Sequence, residues 1–334
     1  MNQYPEYPPY QNENKEPVIL LPPEPPKARL HTGMLVFAIA IGEVAALVAQ
    51  LIIRALIAAY CPAMFENDWF VIAFSTVPLY LVGMPISYLL FLTVPKSVPP
   101  KKKMSPLMWL GFLLLCFCVT YTFKFFGQYV IDWIYTVLGI EVTDQVAEIT
   151  YITPFGINLF FVGILGPIFE ELFFRKAVID RLRRYGELPA ILISGLIFGL
   201  IHGNFSQLFY TIAMGVVLGF VYLRTGNVLY TITLHCAFNI IGGVYVTEAL
   251  RHAEEDIGSL MTLAYTVFVI ISFIVGIIFL IANFGRFRRS LQKGKYSLTF
   301  DQWMNALVFN PGMWAFLAWT AIVFISSLLA SAFS

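Results

Sequence analysis

Nine stretches of this chain are apolar candidates to cross the ~30 Å hydrocarbon core of a bilayer, which takes about 20 helical residues. They cover residues 33–60, 69–94, 106–138, 156–174, 188–202, 207–223, 228–246, 257–284 and 313–333. In lipid a backbone has to satisfy its own hydrogen bonds, and a helix does so within one segment. The pattern therefore predicts an all-α polytopic membrane protein of about nine transmembrane helices. The fifth run is short, and the fourth can continue into the charged stretch 175–184. Composition agrees: only 12% of residues are charged and 59% are hydrophobic, about half the charge of a soluble domain. A net charge of +1 and the lack of Lys/Arg–aromatic interleaving exclude a nucleic-acid binder. The four cysteines (Cys61, Cys116, Cys118, Cys236) form no CxxC or Cys/His spacing, so no disulfide framework or zinc ribbon is expected.

Lysine and arginine in the short loops set the orientation. One loop holds Lys96, Lys101, Lys102 and Lys103; a second holds Arg175, Lys176, Arg181, Arg183 and Arg184; a third holds Arg286, Arg288, Arg289, Lys293 and Lys295. The alternate loops, 66–68, 141–148 and 248–256, are acidic or mixed. Nine spans with a cytoplasmic N-terminus put every basic loop inside. Residues 1–31 are polar and proline-rich and read as a disordered cytoplasmic tail. Residues 32–284 form the transmembrane bundle, 285–312 a basic loop with an interfacial segment (Phe300, Trp303, Met304, Leu307, Val308), and 313–334 an additional C-terminal span.

An ionisable residue inside a span is costly and is a functional candidate by default. Few exist: Glu43, Arg54, Lys124, Glu170, Glu171, His202 and His235, with Asn239 beside the last. Lys124 can snorkel or line a cavity, Glu43 and Arg54 can pair with other helices, and His252 lies in a polar loop. Glu170 and Glu171 point about 100° apart on a helix. Glu171 and Arg175 stand at i,i+4 in the favourable acid-before-base order, which leaves Glu170 to face a site. Pro167 cannot donate to the helix ladder, so the turn around it is expected to be irregular. With a turn at 185–187, Glu170 and His202 lie at equal depth, roughly 24 Å along their helices, and His235 and Asn239 about 13–20 Å in from the next turn. One glutamate, two histidines and an asparagine thus converge from three helices.

Two chemistries suit such a set. A carboxylate and an imidazole can hold and deprotonate a water while His235 and Asn239 donate to a developing oxyanion. Equally, Glu170, His202 and His235 form a zinc ligand set with an open fourth position. Both hydrolyse a peptide-like carbonyl. No HExxH occurs, and Ser194-Gly195 lacks the glycine two residues earlier that a rhomboid-type serine motif needs.

The block Glu170-Glu171-Leu172-Phe173-Phe174-Arg175, then Phe198-x-x-x-His202, then His235-x-x-x-Asn239, resembles the three ordered motifs of the CPBP family, the CAAX proteases and bacteriocin-processing enzymes also called Abi, across residues 154–246. The resemblance implies an intramembrane endopeptidase of bacterial plasma membranes, with a catalytic cavity open to the cytoplasm and a membrane-associated peptide or protein as substrate. It gives Glu170 and His202 the task of activating water, His235 and Asn239 the oxyanion hole, and Glu171, Arg175 and Phe198 supporting roles. The family is labelled a metalloprotease, and a metal-free glutamate mechanism is also proposed for it. Two other classes stay open on the residues alone: a non-hydrolytic membrane immunity or scaffold protein, and a proton-coupled transporter. Against the transporter, no paired half-interrupted spans or inverted repeat is visible.

Overall fold

The computed structural model describes residues 27–139, 145–296 and 298–332. The helices, in order, are α1 (Ala28–Tyr60), α2 (Trp69–Phe91), α3 (Pro106–Val137), α4 (Gln145–Ile152), α5 (Phe155–Tyr185), α6 (Glu187–Leu200), α7 (Phe205–Thr225), α8 (Val228–Arg251), α9 (Asp256–Ser290), α10 (Phe300–Val308) and α11 (Pro311–Ala330). No strand occurs among the described residues. Eight of these helices are long and apolar enough to span a membrane. The nine expected spans resolve into these eight and α6, whose 14 residues rise only about 21 Å. The fourth span continues through its charged end to Tyr185. The expected tail falls mostly outside the described residues, but its last residues, from Ala28, already belong to α1.

Much of the surface is hydrophobic, as lipid requires. On α9, Leu260, Leu263, Val267, Ile270, Ile274, Ile278 and Ile281 are all exposed at helical spacing, a stripe that costs nothing in a hydrocarbon solvent. The interior gathers where α7 packs on α6 and α3, with α9 also against α3, and where α1 packs on α2 and α11. Phe174, Val178 and Ile179 of α5, Phe198 of α6 and Leu218 and Val221 of α7 are fully buried there.

The spans that carry the site are not regular. Widened π-helical turns occur at Leu79–Gly83 in α2, Leu159–Leu165 and Leu172–Ile179 in α5, and Ile240–Val244 in α8. Two of them lie just before a proline, Pro85 and Pro167. A proline offers no N–H to the carbonyl four residues back and its ring crowds that carbonyl, so a turn that opens by one residue relieves both faults. Such turns re-aim the side chains that follow them.

One face of the bundle is tied by charged side chains. The buried Glu187, at the start of α6, accepts from Arg183 Nε (3.0 Å), from the Gln292 backbone N–H (2.9 Å) and from Arg224 of α7. Arg181 Nε donates to the Phe91 carbonyl (2.7 Å). Lys102 and Ser97 backbone N–H groups reach the carbonyls of Thr225 and Asp180. The three basic loops of the sequence therefore meet at the same end of the helices. The segment after α9 does more than rest in the interface. Helix α10 opens with a Thr299/Gln302 capping box, packs on α1 and buries Trp303 against Tyr185 (ring centroids 6.2 Å apart).

Candidate active site

The charged centre of the site is on α5. Glu171 and Arg175 are both fully buried and pair by two hydrogen bonds, Nε to Oε2 at 2.9 Å and Nη2 to Oε1 at 3.1 Å. The two parallel bonds use the planar fork of the guanidinium. Arg175 Nη1 donates further to Ser194 Oγ of α6 (3.4 Å), whose hydroxyl donates to the Phe174 carbonyl (3.2 Å). The Phe198 ring lies over the guanidinium carbon at 5.0 Å. The pairing expected from i,i+4 spacing is present, with a further partner that spacing alone does not show: His235 of α8 places Nδ1 3.1 Å from Glu171 Oε1. A carboxylate accepts, so this nitrogen donates and Glu171 orients the imidazole.

Glu170 is the neighbouring carboxylate, and the structure gives it two neighbours. Its Oε2 lies 3.7 Å from His235 Nε2, and its Oε1 accepts from the Tyr80 hydroxyl of α2 at 3.3 Å. Tyr80 is buried and stacks on Phe169 with centroids 4.8 Å apart and rings 8° from parallel. A gap of 3.7 Å between a carboxylate oxygen and a ring nitrogen is too long for a direct hydrogen bond, but one water at ordinary distances can bridge it.

His202 sits in the turn between α6 and α7. Its Nδ1 lies 2.6 Å from the Phe198 carbonyl; the carbonyl can only accept, so Nδ1 carries the proton and Nε2 is left as an acceptor. The Phe198 ring meets both imidazoles edge-on, His202 at 4.9 Å and His235 at 5.9 Å between centroids. Asn239, one turn past His235, donates Nδ2 to the Val162 carbonyl of α5 (2.8 Å), which uses one of its two N–H donors.

The structure thus gathers Arg175, His202 and His235 around the Phe198 ring, sets Glu170 and Glu171 against His235, and anchors Asn239 to the widened turn of α5. It adds Tyr80 and Ser194, which the sequence reading did not select. Tyr80 left one usable signal, a tyrosine flanked by Pro78 and Pro85 inside an apolar run. The other ionisable candidates stand apart. Glu43 accepts from the Trp319 indole of α11, Arg54 and Lys124 are exposed, and His252 lies between Glu248 and Glu255.

Both histidines are oriented through Nδ1, as a metal-ligating pair would be. Among the described residues, however, no three His, Cys, Asp or Glu side chains are grouped to hold a metal ion. As placed, Glu170, His202 and His235 do not form the three-ligand set.

The profile of a family described as "Type II CAAX prenyl endopeptidase Rce1-like" matches residues 153–241, which hold every motif residue of the site. The chain is 28% identical over 204 residues to "Putative membrane peptidase YdiL" of Bacillus subtilis (strain 168), covering 59% of this chain and 79% of that protein. It is 30% identical over 168 residues to "Membrane-embedded CAAX protease MroQ" of Staphylococcus aureus (strain USA300), covering 47% of this chain and 65% of that one. No solved structure matches the chain.

Proposed function

The chain is a CPBP-family integral membrane protein of the CAAX-protease type, and from that premise we propose that it is an endopeptidase that cleaves a membrane-associated peptide or protein with a water activated by Glu170. The observation that carries this reading is the pair Glu170–His235, a carboxylate oxygen and a ring nitrogen 3.7 Å apart, each held by a second residue, Tyr80 or Glu171. Orientation of this kind is what a general base and its partner need before the substrate arrives.

In the proposed reaction a water held beside Glu170 Oε2, with His202 Nε2 as second acceptor, gives its proton to Glu170 as its oxygen attacks the scissile carbonyl carbon. The developing oxyanion accepts from the second N–H of Asn239 and from His235 Nε2–H, with His235 entering the step as the imidazolium, its Nδ1–H on Glu171. Collapse of the tetrahedral intermediate breaks the C–N bond, and Glu170 returns the proton to the leaving amine. Glu171 and Arg175 keep His235 oriented throughout. We place the N-terminus and the basic face in the cytoplasm, by the distribution of lysine and arginine in the loops.

The test uses full-length protein in proteoliposomes and two quenched-fluorescent reporters. One is a peptide ending in a farnesylated cysteine and three further residues; the other is an unmodified transmembrane peptide. Cleavage of either reporter, lost in both Glu170→Gln and His202→Ala while the variants remain folded, supports the reading. Cleavage retained in both variants overturns it. The reporter that is cut identifies the substrate class.

A further inference from the structure

Away from the site, α1 and α11 enclose a groove of about 650 Å³ at the basic face of the bundle. Leu30, Met34 and Phe37 line its α1 side at helical spacing, so they form one continuous apolar stripe. Leu30 and Phe37 remain about half exposed, at 55% and 48%. Lys27 and Arg29 stand at the end of this stripe, also on the groove wall.

The floor of the groove is rigid. Asn310 Nδ2 donates to the Arg29 carbonyl (2.7 Å) and the Ala306 carbonyl (2.9 Å), while its Oδ1 accepts from the Gly312 N–H (3.0 Å). Gly312 lies so close to α1 that a Cβ there would stand 2.3 Å from the Gly33 carbonyl oxygen. The backbones meet at the floor, and among the described residues nothing fills the space beside them.

A pocket with cations at its membrane-surface end and an apolar wall running down into a span matches a molecule with an anionic head and a hydrocarbon tail. A soluble anion would leave the apolar stripe unused, and a zwitterionic lipid would set its own cation against Lys27 and Arg29. We propose that this groove seats an anionic phospholipid, with its phosphate against Lys27 and Arg29 and one acyl chain along Leu30, Met34 and Phe37. Juxtamembrane lysine and arginine attract anionic headgroups, and the guanidinium fork matches phosphate geometry.

The experiment uses full-length protein in nanodiscs of phosphatidylcholine alone or mixed with phosphatidylglycerol, read by native mass spectrometry after release. Phosphatidylglycerol should be retained in preference to phosphatidylcholine and raise the thermal midpoint. The double variant Lys27→Gln/Arg29→Gln should lose both effects, whereas Lys101→Gln/Lys102→Gln, an equal change of charge in an exposed loop, should keep them. Equal retention of the two lipids, or full retention by Lys27→Gln/Arg29→Gln, overturns the proposal. A photo-crosslinking amino acid in place of Phe37 gives a reading independent of stability. Capture of phosphatidylglycerol supports the site; capture of residues 1–26, or of a second copy of the chain, overturns it.

Discussion

The hydroxyl of Tyr80, on α2, donates to Oε1 of Glu170, on α5, at 3.3 Å. The bond occupies one carboxylate oxygen and leaves Oε2 toward His235. Tyr80→Phe keeps the ring stacked on Phe169 and deletes only the donor. A hydrogen bond to a charged group is worth ~1.5–3 kcal/mol, so its loss should lower kcat about 10- to 100-fold at unchanged KM, provided that it acts through Glu170 in the chemical step. Steady-state kinetics on the reporter that wild type cleaves checks this. A rise in KM with kcat intact would instead make Tyr80 a substrate contact.

Tyr80 also shows where the sequence stops being legible. Helices were visible because lipid imposes a simple rule on length and polarity, and Glu170, His202, His235 and Asn239 stood out because polar groups at depth are rare in such a chain. A tyrosine in an apolar run carries no such mark. Its partner lies 90 residues away and is fixed by how α2 packs beside α5. The same limit applies to Glu171. Spacing revealed Arg175, four residues on, but not His235, 64 residues away, because that contact depends on α8 lying against α5. The shortness of α6 was hinted at by a short apolar run, yet only its turn at His202 explains why an imidazole can stand at a helix end within the bundle.

The Glu171–Arg175 pair should be costly to break and cheaper to replace. Arg175→Met leaves a fully buried carboxylate without its guanidinium, and removing one partner of a buried pair costs about 3–5 kcal/mol. Glu171→Leu/Arg175→Met removes both charges and should regain most of the thermal midpoint in detergent. It should nevertheless stay inactive, since His235 Nδ1 then has no carboxylate to orient it. Recovery of stability and activity together would show that Glu171 serves packing alone.

His252 gives a pH dependence outside the membrane-spanning helices. Its two ring nitrogens lie 3.1 Å from Glu255 and 3.2 Å from Glu248, and these hydrogen bonds, Glu255 first, raise its pKa above the ordinary histidine value. A raised folded-state pKa means that the tie between α8 and α9 is fully present below about pH 6.5, the unfolded value, and is lost as pH rises through the higher folded value. Amide exchange at residues 253–256, corrected for intrinsic rates, should lose protection across that window in wild type and stay flat in His252→Gln. Added salt should weaken the effect, because the group is exposed.

The α6–α7 contact positions His202, and its tightest point is Gly199. A Cβ there would lie 2.3 Å from Ile212 Cγ1 and 2.9 Å from the Leu208 carbonyl oxygen. The isoleucine can change rotamer, but the carbonyl belongs to α7, which is itself packed on α3. Gly199→Ala must therefore push α6 outward and carry Phe198 and His202 with it. Overpacking of this kind costs about 1–3 kcal/mol, and a displacement near 1 Å at a catalytic group can cost on the order of 100-fold in rate. Gly199→Ala should thus lose more activity than its fall in thermal midpoint suggests. Ile212→Ala in the same chain should restore part of the stability but little of the rate, because the carbonyl contact remains. Gly243→Ala, where the added Cβ meets nothing within 4 Å among the described residues beyond its own helix, is the matched control and should leave both near wild type. Equal tolerance of the two alanines would show that α6 is free to shift without disturbing His202.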